Sequence, residues 1–130
     1  MATINKFEEI ISWKEARGLN TIIRKLIIEK KFNQNYSLIN QIERSAGSIM
    51  DNIAEGFERG GNKEFIQFLF ISKGSCGELR SQMYRALDAG YLNINEFESI
   101  SDQCTRISSL IKKFIEYLKQ TEIKGQKYKK

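Results

Sequence analysis

Residues 48–65 read SIMDNIAEGFERGGNKEF. Asp51, Asn52, Glu55, Glu58 and Arg59 fall close together, with Gly56 among them. Acids, an amide and a base at this spacing could transfer protons, hold a metal, contact nucleic acid or pair as a structural seam. The rest of the chain narrows the choice. There is no histidine, which excludes Ser-His-Asp and Cys-His nucleophilic sites and every HExxH zinc site. The Glu-x-x-His motif that binds paired metals inside helical bundles is excluded with them. Asp51, Glu55 and Glu58 have no matching acidic pair at seam positions elsewhere. No GxxxxGK[ST] or GxGxxG loop occurs, so nucleotide binding has no support. No residue is assigned to catalysis, to a metal or to a cofactor, and the protein is expected not to be an enzyme.

Cys76 and Cys104 are the only cysteines and form no CxxC clip. Both fall on apolar seams, where a thiol acts as a small hydrophobe. SKGSCGE (72–78) puts Gly74 and Gly77 in mid-helix, each at a cost of about 1 kcal/mol relative to alanine. Close approach of another helix, or a bend, is the expected reason for them, ahead of a phosphate-binding loop, since no strand precedes them.

Arg44, Ser48, Asn52, Glu55 and Arg59 step by four, four, three and four. They form a polar stripe beside the apolar stripe of Ile42, Ala46, Ile49 and Ile53. Glu55 and Arg59 are an i,i+4 pair in the favourable orientation. The regular spacing predicts a register-setting polar seam across helices or subunits, or else a solvated face free to bind a partner. Burial of Glu55 decides between them. Loss of a buried partner is strongly destabilising, whereas loss of an exposed one is nearly silent. Gly56 allows close approach beside Glu55 and Arg59.

The elements that carry these residues are legible from period. Phe97, Ile100, Cys104, Ile107, Ile111, Phe114 and Leu118 alternate steps of three and four, an a/d seam. Phe65, Leu69, Ser72, Cys76, Leu79, Met83, Ala86 and Gly90 form a second. Ile39, Ile42, Ala46, Ile49, Ile53 and Gly56 form a third, and Ala16, Leu19, Ile23 and Leu26 a shorter fourth. Loop signals at 33–37, 60–62 and 90–96 separate them, with Asn62 and Asn95 as expected N-caps. The 130 residues contain no proline, which suits long helices. These features predict an all-α, antiparallel up-down four-helix bundle with helices near 7–31, 36–59, 63–89 and 95–121.

The net charge is +5, but Lys124, Lys127, Lys129 and Lys130 supply most of the excess. Without them the balance is 17 basic against 16 acidic residues. The organisation expected is a near-neutral bundle over 1–123 and a basic tail over 124–130. Tyr128 lies among those lysines, so Lys124, Lys127, Tyr128, Lys129 and Lys130 are the candidate nucleic-acid contacts. No signal-peptide pattern opens the chain and no apolar run spans a membrane, so a cytoplasmic location is expected. FIQFLFI (65–71) is apolar nearly all round, more than one core stripe needs. That predicts self-association, with Phe57, Ile66 and Phe70 as interface candidates.

Residues 41–79, QIERSAGSIMDNIAEGFERGGNKEFIQFLFISKGSCGEL, resemble the signature of the 23S rRNA intervening-sequence proteins. The resemblance rests on Arg44, Ala46, Ser48, Ile49, Asn52, Ile53, Ala54, Glu55, Gly56, Arg59, Phe65, Gly74, Ser75, Glu78 and Leu79. SWKEA, with Trp13 and Ala16, and GYL (90–92) extend it to about residues 7–120. The family's Phe-Pro before the second helix is here Phe32-Asn33. The resemblance implies a small bundle that assembles as a homopentamer, with no catalytic residues. It also implies a bacterial ribosomal-RNA gene context and a fold shared with accessory proteins of diversity-generating retroelements, which partner a reverse transcriptase. Two functions follow as expectations. One is a non-enzymatic, oligomeric, RNA- or DNA-associated bundle; the other is a protein–protein adaptor or accessory subunit.

Overall fold

The computed structural model describes residues 3–128, with side chains described for 3–121. Its elements are a 3₁₀ turn at Phe7–Glu9, then α1 (Ile11–Ile28), α2 (Tyr36–Glu58), α3 (Asn62–Asp88) and α4 (Ile94–Tyr128). No strand occurs among the described residues. The four helices pack as a bundle, α1 on α2, α2 on α3, α3 on α4 and α4 back on α1. Pairings along α2 and α3 run in reverse order. Gly56 meets Phe65 and Phe68, Ser48 meets Ser75, and Gln41 meets Arg85. Neighbours that run in opposite senses produce that order. No helix among the described residues is long and apolar enough to cross a membrane.

The predicted seams form the core. All of Ala16, Leu19, Ile23, Leu26, Ile42, Ala46, Ile49, Ile53, Leu69, Cys76, Leu79, Met83, Cys104, Ile107 and Ile111 are buried. Near the end of α4 the seam drifts. Ile115 is buried while Phe114 is only partly so. A straight helix turns every 3.6 residues, so a strict heptad slides off its seam within a few turns. At the far end of α3 Gly90 lies outside the helix, exposed and at φ 79°.

The helix ends differ from expectation for identifiable reasons. At the start, Phe7–Glu9 form a separate turn, and Ile10 is extended and buried. Burying Ile10 at that backbone angle breaks the first helix, so α1 begins at Ile11. Its other end stops at Ile28. Lys30 takes the left-handed conformation at φ 60°, the Lys31 N–H donates to Leu26 O and the Lys30 N–H to Ile27 O. This is a Schellman closure made with lysine where glycine is usual, so no glycine signal marked it. Gly90 closes α3 in the same way, with Tyr91 N–H on Ala86 O and Gly90 N–H on Leu87 O.

The N-caps are also shifted. Asn62 is already helical, behind an uncapping Gly61. Asn93, not Asn95, caps α4. The Glu96 N–H donates to Asn93 Oδ1 at 2.8 Å and the Asn93 N–H donates to Glu96 Oε1 at 2.9 Å, a reciprocal capping box. The Asn93 backbone bond, helped by Lys31, holds the Glu96 carboxyl below its ordinary range. Lys31 Nζ lies 3.3 Å from Glu96, and Asn35 Nδ2 donates to Tyr91 Oη at 3.3 Å. These contacts tie the α1–α2 and α3–α4 loops together at one end of the bundle.

Candidate functional site

The polar stripe of α2 divides at Asn52. Ser48 and Asn52 lie partly buried against α3. Asn52 Nδ2 donates to Ser48 O and to Ser48 Oγ, both at 2.8 Å. Ser48 Oγ is 2.8 Å from Ser75 Oγ, which donates to Ile71 O at 3.2 Å. Because Ser75 donates onward, the proton between the two hydroxyls comes from Ser48. One turn along, Ser72 Oγ donates to Ile49 O at 2.6 Å in the buried core. The Ser48–Ser75 and Ser72–Ile49 bonds cross the α2–α3 interface, and the Asn52 and Ile71 bonds extend them along each helix. The chain is structural in its chemistry, with no ionisable group in it. The spacing along α2 does not by itself reveal Ser72 and Ser75 as its partners. The signal was a serine on an otherwise apolar seam and another three residues on.

Arg44, Glu55 and Arg59 are exposed. Arg59 Nη2 lies 2.7 Å from Glu55 Oε2, and the two side chains are about half exposed, 49% and 52%. The hydrogen bond to Glu55 raises the Arg59 pKa further. The guanidinium also sits 5.2 Å from the centre of the Phe68 ring. An exposed pair of this kind contributes little to folding. Glu55→Ala, Arg59→Ala and the double variant are therefore expected to leave the thermal midpoint nearly unchanged, with additive effects. A large, non-additive loss in differential scanning calorimetry would show that the pair is covered in the assembled protein.

The glycines behave in opposite ways. A Cβ on Gly56 would stand 2.7 Å from Phe68 Cβ and 2.9 Å from Phe65 Cδ1. The close approach at Gly56 is thus made by α3 itself. Gly74 and Gly77 have nothing within 4 Å of a built Cβ. The close-packing expected for them does not occur within the protomer. They stand on the outer face, one turn apart, while the core is reached by Ser72, Cys76 and Leu79.

The interface candidates separate likewise. Ile66 is buried in the core, and Phe57 is partly buried with its ring edge-on to Phe65 at 5.9 Å. Phe70 is 50% exposed, next to Ile71 at 52%, while Tyr84, also 50% exposed, lies nearly four turns further along α3. The outward apolar surface of α3 therefore runs through Phe70 and Ile71, not through Ile66.

Cys76 and Cys104 are buried and not disulfide-bonded. Burial pushes both thiols up to about 12. At neutral pH they hold their protons and lack the thiolate that attack or metal binding requires. Among the described residues no three His, Cys, Asp or Glu side chains converge as a metal site would need. Of the lysine-rich end, Lys124, Lys127 and Tyr128 belong to α4 but their side chains lie outside the description. Lys129 and Lys130 lie outside the described residues altogether.

Comparison with known proteins agrees with this geometry. No curated protein matches the sequence. A solved structure, a protein of unknown function from the S23 ribosomal protein family of Bacteroides thetaiotaomicron, superposes with a TM-score of 0.74. It is 22% identical, and the match covers 81% of this chain and 98% of that one. At that identity the likeness shows the fold. The family model of the 23S rRNA-intervening sequence protein matches residues 8–113, a span that runs from the first turn through most of α4 and includes the whole α2–α3 seam. The chain belongs to the 23S rRNA-intervening sequence protein family.

Proposed function

We propose that this protein is a non-enzymatic, oligomeric helical bundle that associates with RNA or DNA. The observation that carries the reading is charge placement. The bundle is close to neutral, and the basic excess is collected at Lys124, Lys127, Lys129 and Lys130. The backbone of α4 continues helical to Tyr128, past Leu118, the last buried residue among the described side chains. Oligomerisation is supported by the outward apolar surface of α3 at Ile71, a homopentamer being what the family resemblance implies. A ring would repeat the basic segment and multiply its effective concentration on one nucleic acid.

The experiment has two readouts on the full-length chain. Light scattering coupled to size exclusion is expected to give several times 15.1 kDa, and Ile71→Glu to lower that mass with helicity kept. A monomer at micromolar concentration sinks the assembly. Binding to duplex DNA and to RNA is then titrated against salt. Four lysines displacing counterions from duplex DNA steepen the log–log slope by about 3.6 per chain. Truncation after Ile123 is expected to remove that increment with the mass unchanged. The same exposed face of α3 favours a second reading, an adaptor or accessory subunit such as a partner of a reverse transcriptase. An oligomer that binds no nucleic acid at low salt would favour it.

A further inference from the structure

Beside the outward face of α3 runs a groove of about 430 Å³ lined by Phe70, Lys73, Gly74, Gly77, Arg80 and Ser108. Its lining holds two cations and no carboxylate. Among the described residues neither Lys73 nor Arg80 makes an ion pair, although four such pairs form elsewhere on the bundle. Arg80 Nε is buried with no hydrogen-bond partner. That nitrogen is closed off and is not itself a ligand contact, but Arg80 as a whole is only partly buried. Lys119 Nζ stands 5.4 Å from the centre of the Phe70 ring and adds a third positive group at the rim.

The fold does not account for the groove's floor. Glycine in mid-helix weakens the helix relative to alanine. Neither Gly74 nor Gly77 is needed for packing, since a Cβ at either would meet nothing within 4 Å. What the two glycines do is keep the space between the cations open down to the backbone. Lys73 and Arg80 are two helical turns apart, about 10 Å along the axis, a span suited to a short stretch of phosphodiester chain. Phe70, half exposed at one end, offers a ring for a base to stack on.

We propose that the groove between α3 and α4, floored by Gly74 and Gly77 and edged by Lys73, Arg80 and Phe70, binds single-stranded nucleic acid. Lys73 and Arg80 meet backbone phosphates, Ser108 hydrogen-bonds beside them, and Phe70 stacks on a base. The inference rests on the reading of the protein as nucleic-acid-associated. It adds to the lysine-rich segment a contact inside the folded bundle.

The test measures fluorescence anisotropy of a labelled oligouridylate with the full-length protein across a salt series. Lys73→Gln/Arg80→Gln is expected to reduce the log–log salt slope by about 1.4 per site, the value for two phosphate contacts on a single strand. Phe70→Leu keeps the apolar surface but removes the stacking ring, and affinity should fall roughly tenfold. Gly74→Ala/Gly77→Ala provides the sharpest contrast. It should raise the unfolding midpoint, because the helix is strengthened and nothing clashes, and still weaken binding. Unchanged oligouridylate binding in all three variants overturns the groove. If truncation after Ile123 then abolishes binding, the wider reading stands and only the groove fails. If the unaltered protein binds neither RNA nor DNA, both fail. A fall in oligomer mass with Lys73→Gln/Arg80→Gln would assign the groove to a subunit contact and overturn the proposal. Capture of an acidic protein segment in place of oligouridylate would do the same.

Discussion

Phe32→Ala is expected to lower the unfolding free energy by about 3–5 kcal/mol, the range for removing a fully buried phenylalanine. Phe32 is 0% exposed although it sits in the loop between α1 and α2. The backbone around it takes left-handed angles at Lys30, Asn33 and Gln34, with φ of 60°, 49° and 57°. None of those residues is glycine, and each such angle is unfavourable for a residue with a Cβ. The ring supplies what holds the loop in place. The Asn35 N–H donates to Phe32 O at 2.9 Å, and Asn35 Oδ1 accepts from the Leu38 N–H to cap α2. Removing the ring therefore leaves a cavity and loosens the cap and the Tyr91 contact together. Urea unfolding is the measurement, with the midpoint falling and the m-value unchanged. A loss well under 1 kcal/mol would mean that the loop closes over the gap and that the strained angles need no anchor.

Gly56→Ala is expected to destabilise by at least the roughly 1–3 kcal/mol typical of overpacking. Two effects oppose. Alanine strengthens a helix interior by about 1 kcal/mol over glycine. Against it, the new methyl would stand 2.7 Å from Phe68 Cβ, 2.9 Å from Phe65 Cδ1 and 3.4 Å from Phe65 O. A Cβ cannot rotate away from its own backbone, so Phe68 yields only if α3 moves. The Phe65 ring is held between Phe57 and Phe114, edge-on at 5.9 and 5.3 Å. The connection from Glu58 to Asn62 is too short to let the helices part without disturbing it. The clash wins. Gly18→Ala is the control, since nothing lies within 4 Å of its Cβ. It should gain up to about 1 kcal/mol from helix propensity alone. Equal midpoints for the Gly56→Ala variant and the parent in a thermal melt would rule out the close approach.

The division between sequence and tertiary structure can be followed residue by residue. Hydrophobic period alone determined four helices, their order and nearly all of the core. Burial follows the a/d spacing because only one face of each helix can reach its neighbours. The absence of histidine removed whole classes of chemistry before any geometry was known. Helix ends were less legible, because Ile10 and Phe32 are drawn into the core by contacts remote in sequence. Those contacts then impose backbone angles that local propensity does not favour. The stripe from Arg44 to Arg59 was visible as a pattern. Its split into an interface half, Ser48 and Asn52, and an exposed half, Glu55 and Arg59, depended on where α3 crosses. Glycine shows the limit most plainly. Gly56, in the last turn of α2, and Gly74 and Gly77, in the middle of α3, are the same residue in helical backbone. Only the tertiary structure decides that Gly56 is filled by Phe65 and Phe68 while the other two face open space. A missing side chain carries no information about its neighbours until the helices are packed.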